Sequence, residues 1–147
     1  MQTFKTIIGG TKEEAFKKFP WLKNGSFQDA EIDISGDWLI WKDGTWEHGT
    51  WEGGTWEGGF WKDGFWEGGI WKYGTWEYGF WEGGTWEGGI WEYGTWEGGI
   101  WKYGTWEDGI WKYGTWEDGT WEGGRMWSNR LQTYETIKQV DGKFEVV

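Results

Sequence analysis

Carboxylates are the groups through which this chain could do chemistry. Twenty-five acidic residues stand against fourteen Lys and Arg, a net charge of −11, with one histidine and no cysteine. Without cysteine there is no disulfide, thiol nucleophile or zinc-thiolate site. His48 lies beside Glu47 but has no second histidine to complete a zinc ligand set. The glycines recur every five residues and form no G-x-G-x-x-G ahead of a helix, and no G-x-S-x-G or P-loop occurs. These observations predict a protein that is not an enzyme, with no cofactor, no metal site and no catalytic residues. The chemistry left to the acids is collective, since a row of them can hold cations, face a basic partner or maintain solubility.

Those acids are placed by a repeat. From Trp41 to Trp121 the unit G-[T/I/F]-W-[E/K]-x recurs seventeen times without insertion or deletion, Leu39 taking the Gly place in the first, in a chain of 147 residues with 29 Gly and 20 Trp. A fixed short period makes each unit a rung whose neighbours come from the units before and after it. The charge follows the same division. Residues 37–124 carry seventeen acids and five Lys, whereas 1–36 balance at five and five and 125–147 carry four basic residues and three acids. This concentration of negative charge argues against direct binding to nucleic acid or an anionic membrane and fits a protein partner. The opening M-Q-T-F-K-T-I-I-G-G has no apolar run long enough for a signal sequence, and no segment approaches a transmembrane span, so a cytoplasmic or virion-associated location is expected.

Alternation fixes which side chains face inward. In an extended strand, burying Trp46 turns Thr45 and Glu47 outward, and the reverse choice would bury every Glu and Lys without partners. The Trp column is therefore the core, with the recurring Gly as its small companion. Two architectures satisfy this: a four-sided β-solenoid of about twenty residues per coil, and an antiparallel β-meander of three-residue strands. The turn position holds Tyr at 73, 78, 93, 103 and 113. Tyr suits a solenoid corner of type I form with Gly fourth, and suits the positive φ of a two-residue hairpin poorly. A flat meander would also leave its Trp uncovered. The predicted fold is all-β, a four-sided β-solenoid with a short N-terminal helical cap and a C-terminal β-hairpin.

With Gly as the small inward residue and Trp as the large one, the array resembles the pentapeptide-repeat family, whose unit is A-[D/N]-L-x-x. That resemblance implies a quadrilateral β-helix over 37–124. The W-[E/K]-x-G array is also similar to Trp-rich repeats of phage and environmental microbial proteins. Some pentapeptide-repeat proteins act as decoys of nucleic acid, so the resemblance implies that role as an alternative.

On a twenty-residue coil, every fourth unit stacks. Glu47, Glu67, Glu87 and Glu107 would then form one acidic ladder and Glu57, Glu77, Glu97 and Glu117 another. Between them, Ile70, Ile90 and Ile110 with Tyr73, Tyr93 and Tyr113 would make one amphipathic face, and Phe60, Phe80 and Ile100 would lie on the opposite one. Exposed apolar rows of this kind suit an interaction surface. The flanks read as caps. Thr11-Lys12-Glu13-Glu14 opens a helix near 12–19 that ends at Pro20. Ala30, Ile32 and Ile34 alternate as a lead-in strand, Met126 and Leu131 continue the Trp positions, and Asp141-Gly142 turns a hairpin pairing Lys138 with Glu145. The organisation is thus a cap over 1–36, the array over 37–124 and a cap over 125–147. The function expected is a structural or protein-interaction module, of a phage or virion-related assembly by the resemblance of the array, with a homodimer through the C-terminal hairpin as one mode; an acidic DNA-mimic decoy is the alternative.

Overall fold

The computed structural model describes all residues, Met1–Val147. Strand β1 (Gln2–Ile8), helix α1 (Lys12–Lys18), a 3-10 turn (Pro20–Asn24) and strand β2 (Ser26–Asp33) precede the array. Strand β3 (Ile40–His48) contains the first two rungs. Two-residue rungs β4 to β18 then follow at five-residue steps from Thr50–Trp51 to Thr120–Trp121. Strands β19 (Arg125–Ser128), β20 (Thr133–Val140) and β21 (Lys143–Val146) close the chain.

The array is a parallel β-solenoid, and its coil has three sides. Trp41 pairs with Trp56 and Trp56 with Trp71; Trp46 pairs with Trp61, and Trp51 with Trp66. Every such pair is fifteen residues apart, so neither the twenty-residue, four-sided outline nor the antiparallel meander is formed. The width of indole accounts for the smaller coil. Trp41, Trp46 and Trp51 touch pairwise with ring centroids 5.9 to 6.3 Å apart, so three rings fill one cross-section. Along the axis, Trp71, Trp86 and Trp101 stack at 4.7 and 4.8 Å with planes 6° and 7° apart. That ring spacing matches the strand spacing of a β-sheet, so one pitch serves both the backbone ladder and the stack.

Outer-face hydrogen bonds repeat this register. Thr85 N donates to the Gly69 carbonyl at 3.0 Å and Glu87 N to the Trp71 carbonyl at 2.7 Å. The glycine two places before each Trp is a corner and is not core filling as its size suggested. Gly104 has φ +123°, and a Cβ there would lie 2.6 Å from the Gly89 carbonyl oxygen of the coil beneath. Only glycine permits both the turn and the pitch. Where Asp precedes it the corner is capped, as in the Asp63 carboxylate accepting from Gly64 N at 2.8 Å.

The inward Trp from Trp41 to Trp106 have no exposed surface, Trp111 and Trp121 are buried, and Trp116 near the end of the rod is partly buried. Trp66 and Trp81 donate their indole N–H to the Gly83 and Gly98 carbonyls at 3.1 Å, and Trp61 donates to that of Tyr78 at 3.2 Å. The corresponding nitrogens of Trp56 and Trp86 lie against corner glycines Gly74 and Gly104 and have no partner. Ring contact, more than hydrogen bonding, therefore holds this core.

Both ends are covered. Thr11 caps α1 by accepting from Glu14 N at 3.2 Å, Phe27 stacks on Trp46 at 5.7 Å, and Trp21 meets Trp51 edge-on at 5.0 Å. Strand β1, for which the sequence showed no clear pattern, pairs in parallel with β2. At the other end Met126 takes a Trp position opposite Trp111, while Leu131 lies exposed in the turn after β19 and does not continue the core. Lys138 faces Glu145 and Ile137 faces Val146 across the hairpin. Phe144 closes over Trp116 and Trp121 at 5.3 and 5.5 Å.

Candidate functional site

A fifteen-residue coil redistributes the outward residues. The first face carries the rungs of Trp41, Trp56, Trp71, Trp86, Trp101 and Trp116. The second carries Trp46, Trp61, Trp76, Trp91, Trp106 and Trp121. The third carries Trp51, Trp66, Trp81, Trp96 and Trp111, followed by Met126.

The two acidic ladders expected from the twenty-residue coil do not exist in that form. Glu47, Glu77 and Glu107 belong to the second face, Glu67 and Glu97 to the third, and Glu57, Glu87 and Glu117 to the first. Two other unbroken runs replace them: Glu77, Glu92, Glu107 and Glu122 on the second face, and Glu52, Glu67, Glu82 and Glu97 on the third. Within the second-face run, partial burial and the flanking carboxylates of Glu107 and Glu77 push the Glu92 carboxyl above its ordinary range. These flanking residues are its neighbours one coil above and below, so the like charges act on one another through the stack.

The apolar rows separate too. Ile70, Ile90 and Ile110 fall on the first, second and third faces, and Tyr73, Tyr93 and Tyr113 follow the corners after those same rungs. Phe60 is on the second face, Phe80 on the third and Ile100 on the first. The amphipathic faces drawn from a square coil are therefore not formed. Aromatic contacts appear elsewhere: Tyr78 stacks on Tyr93 at 5.2 Å along the second corner, and Phe65 on Phe80 at 5.0 Å on the third face.

The lysines are unevenly placed. Lys42, Lys72 and Lys102 share the first face, where they alternate with Glu57, Glu87 and Glu117; Lys62 and Lys112 stand at or near the ends of the acidic faces. Trp38, which stands outside the repeat's pattern, is 73% exposed. It overhangs a shallow recess at the border of the first and third faces, lined by Glu52, Thr55, Ile70 and corner glycines. Its signal in the sequence is its position, three residues before Trp41 and so out of step with every other Trp of the array.

Three or more His, Cys, Asp or Glu side chains gather nowhere in a geometry that could hold a metal ion. No helix is long and apolar enough to cross a membrane. No protein-family model, curated protein or solved structure matches the chain.

Proposed function

We propose that the rod is a non-enzymatic interaction module that docks a protein partner with a basic surface along its second and third faces. The supporting observation is the pair of four-carboxylate runs, Glu77 to Glu122 and Glu52 to Glu97, each at one charge per coil. Like charges stacked at strand spacing oppose folding, and the Glu92 carboxyl, raised first by partial burial, is raised further by its neighbours Glu107 and Glu77. A cationic partner would relieve that repulsion. Membership of a phage or virion-related assembly rests on the resemblance of the W-[E/K]-x-G array alone.

A second reading, an acidic decoy of a nucleic-acid-binding protein, draws on charge density. Residues 37–124 have a net charge of −12, seventeen acids against five Lys. At about 4.8 Å per fifteen-residue coil this is roughly one net charge per 2.4 Å of axis, against about one per 1.7 Å in duplex DNA.

The test is titration with an oligolysine peptide at low salt. Replacing Glu52, Glu67, Glu82, Glu97, Glu77, Glu92, Glu107 and Glu122 by Gln should abolish binding, whereas Glu57, Glu87 and Glu117 to Gln should leave most of it. Equal binding by the two variants would refute docking on these faces. A wild-type protein that never displaces DNA from basic DNA-binding proteins would remove the decoy reading.

A further inference from the structure

The first face differs from the other two in a way that acidity does not explain. Reading up its six coils, the residue before Trp is Ile40, Thr55, Ile70, Thr85, Ile100, Thr115, and the residue after it is Lys42, Glu57, Lys72, Glu87, Lys102, Glu117. Both columns alternate with a period of two coils. The bordering corner reads Asp43, Gly58, Tyr73, Gly88, Tyr103, Asp118, so it alternates over its four inner coils and is acidic at both ends. Cross-strand attraction within one chain accounts for Lys beside Glu, but it does not require bulky Ile to travel with Lys and small Thr with Glu. On the other faces Phe60 precedes Lys62 and Ile110 precedes Lys112, but the linkage is broken where Ile90 precedes Glu92, Phe65 precedes Glu67 and Phe80 precedes Glu82.

We propose that this face is the contact between two copies of the chain, packed face to face with their axes antiparallel. A two-fold axis lying in the face along the strand direction keeps each column opposite its own copy and reverses the coil order. Coil one then meets coil six, two meets five, and three meets four. Because the number of coils is even and the period is two, every Lys meets a Glu: Lys42 faces Glu117, Lys72 faces Glu87 and Lys102 faces Glu57, each pair occurring twice. The same operation sets Ile40 against Thr115, Ile70 against Thr85 and Ile100 against Thr55, a large residue into the space left by a small one. Ile70 and Ile100 are 41% and 38% exposed in the single chain, and Tyr73 and Tyr103 are 69% and 63% exposed. The tyrosines of the two copies interleave along the middle of the border, and at its ends Asp43 comes level with Asp118, where the two carboxylates must turn out into solvent. At the opposite border Trp38 of coil one comes level with Tyr113 of coil six.

A parallel arrangement would set Ile against Lys and is not complementary. The column of charges after Trp on this face is neutral, with Asp43 and Asp118 only at the two ends of its border, whereas those of the other two faces are acidic, so it is the side on which two such rods can approach. Its four outward columns over six coils present about 24 positions, within the roughly 20–30 residues a side of a standard interface. The inference is independent of the basic partner proposed above, which would occupy the two faces left pointing outward.

Sedimentation velocity on the full chain tests it with two charge-reversed variants. The wild type should be a dimer that weakens with salt. Lys42→Glu/Lys72→Glu/Lys102→Glu and Glu57→Lys/Glu87→Lys/Glu117→Lys should each be monomeric, with Kd raised on the order of 100-fold or more because like charges then face one another. An equimolar mixture of the two should restore a dimer. The second variant separates this from general repulsion, since three replacements worth two charges each move the net charge from −11 to −5 and still abolish pairing. Should a triple variant lose the wild-type near-UV circular dichroism, Lys72→Glu alone, which meets its pair twice by symmetry, should weaken the dimer roughly 10-fold. A monomeric wild type at low salt, variants that dimerise as the wild type does, or a mixture that stays monomeric would each overturn the proposal. Dimerisation through the C-terminal hairpin would produce the second of these results.

Discussion

Gly68 and Gly69 adjoin in one corner, and replacing each in turn by alanine isolates what sets the pitch of the rod. Gly69 has φ +114°, a region that costs a residue with a side chain about 1–3 kcal/mol. Its added methyl would also meet the Gly54 carbonyl oxygen one coil below and lie 3.1 Å from Gly54 N. The clash is relieved only by widening a spacing held by the Ile70 N to Gly54 carbonyl bond of 3.0 Å and the 4.8 Å stack of Trp71 on Trp56. Weakening that bond adds about 1 kcal/mol, so Gly69→Ala should destabilise by about 3 kcal/mol. At Gly68 a methyl meets nothing within 4 Å, φ is not in the positive range, and equivalent positions hold Asp63 and Tyr73. Gly68→Ala should stabilise by about 0.4–1 kcal/mol through the unfolded chain. With a urea dependence of roughly 2 kcal/mol per molar, the two midpoints should differ by about 2 M. The assay is urea denaturation followed by near-UV circular dichroism. Midpoints displaced in the same direction by similar amounts would show that the corner glycine does not govern coil spacing.

Trp86→Ala should cost about 3–5 kcal/mol, since Trp86 is fully buried, stacks on Trp71 and Trp101 and meets Trp81 and Trp91 edge-on at 5.8 Å; Thr85→Ala, one residue away on the outer surface, should cost under about 1 kcal/mol, and the comparison is read from the same melts. The raised Glu92 carboxyl binds its proton more readily folded than unfolded, so its contribution favours the folded state at low pH and is lost as pH rises through the raised value. Glu92→Gln should therefore increase thermal stability at neutral pH and low salt and flatten the acid-side pH dependence, and an unchanged pH profile would show that the Glu77 to Glu122 run does not act as a coupled row.

The direction of each side chain was legible because burying an indole is favourable and burying an unpaired carboxylate is not, a contrast renewed at every unit. Hence the inward Trp, the outward Glu and Lys, and the rejection of a flat sheet all survive in the structure. The caps were legible for local reasons: Thr11 with Glu14 specifies a helix start, and Asp141-Gly142 a hairpin turn that the chain forms with φ of 51° and 76°. Strand β1 was not, because Gln2–Ile8 alternates weakly and is held by its partner β2.

Coil length was harder to see, because strict five-residue alternation is compatible with any whole number of sides. The columns of Glu, Ile and Tyr drawn from a square coil fell with that number, although each residue's own inward or outward assignment stood. Yet the sequence holds a second, longer period. Three of the four Ile-Trp-Lys units, at 40–42, 70–72 and 100–102, are thirty residues apart, the fourth being 110–112, and Thr-Trp-Glu stands at the three positions fifteen residues after them, 55–57, 85–87 and 115–117. Thirty is two coils of fifteen and no whole number of coils of twenty, so this pattern forms straight columns on a triangular rod and not on a square one. The width of indole supplies the physical cause, since three rings, each meeting the next edge-on at 5.8 to 5.9 Å, complete a cross-section and a fourth side would open the core. In this chain the inward residue sets the number of sides, and the variation among outward residues reveals it.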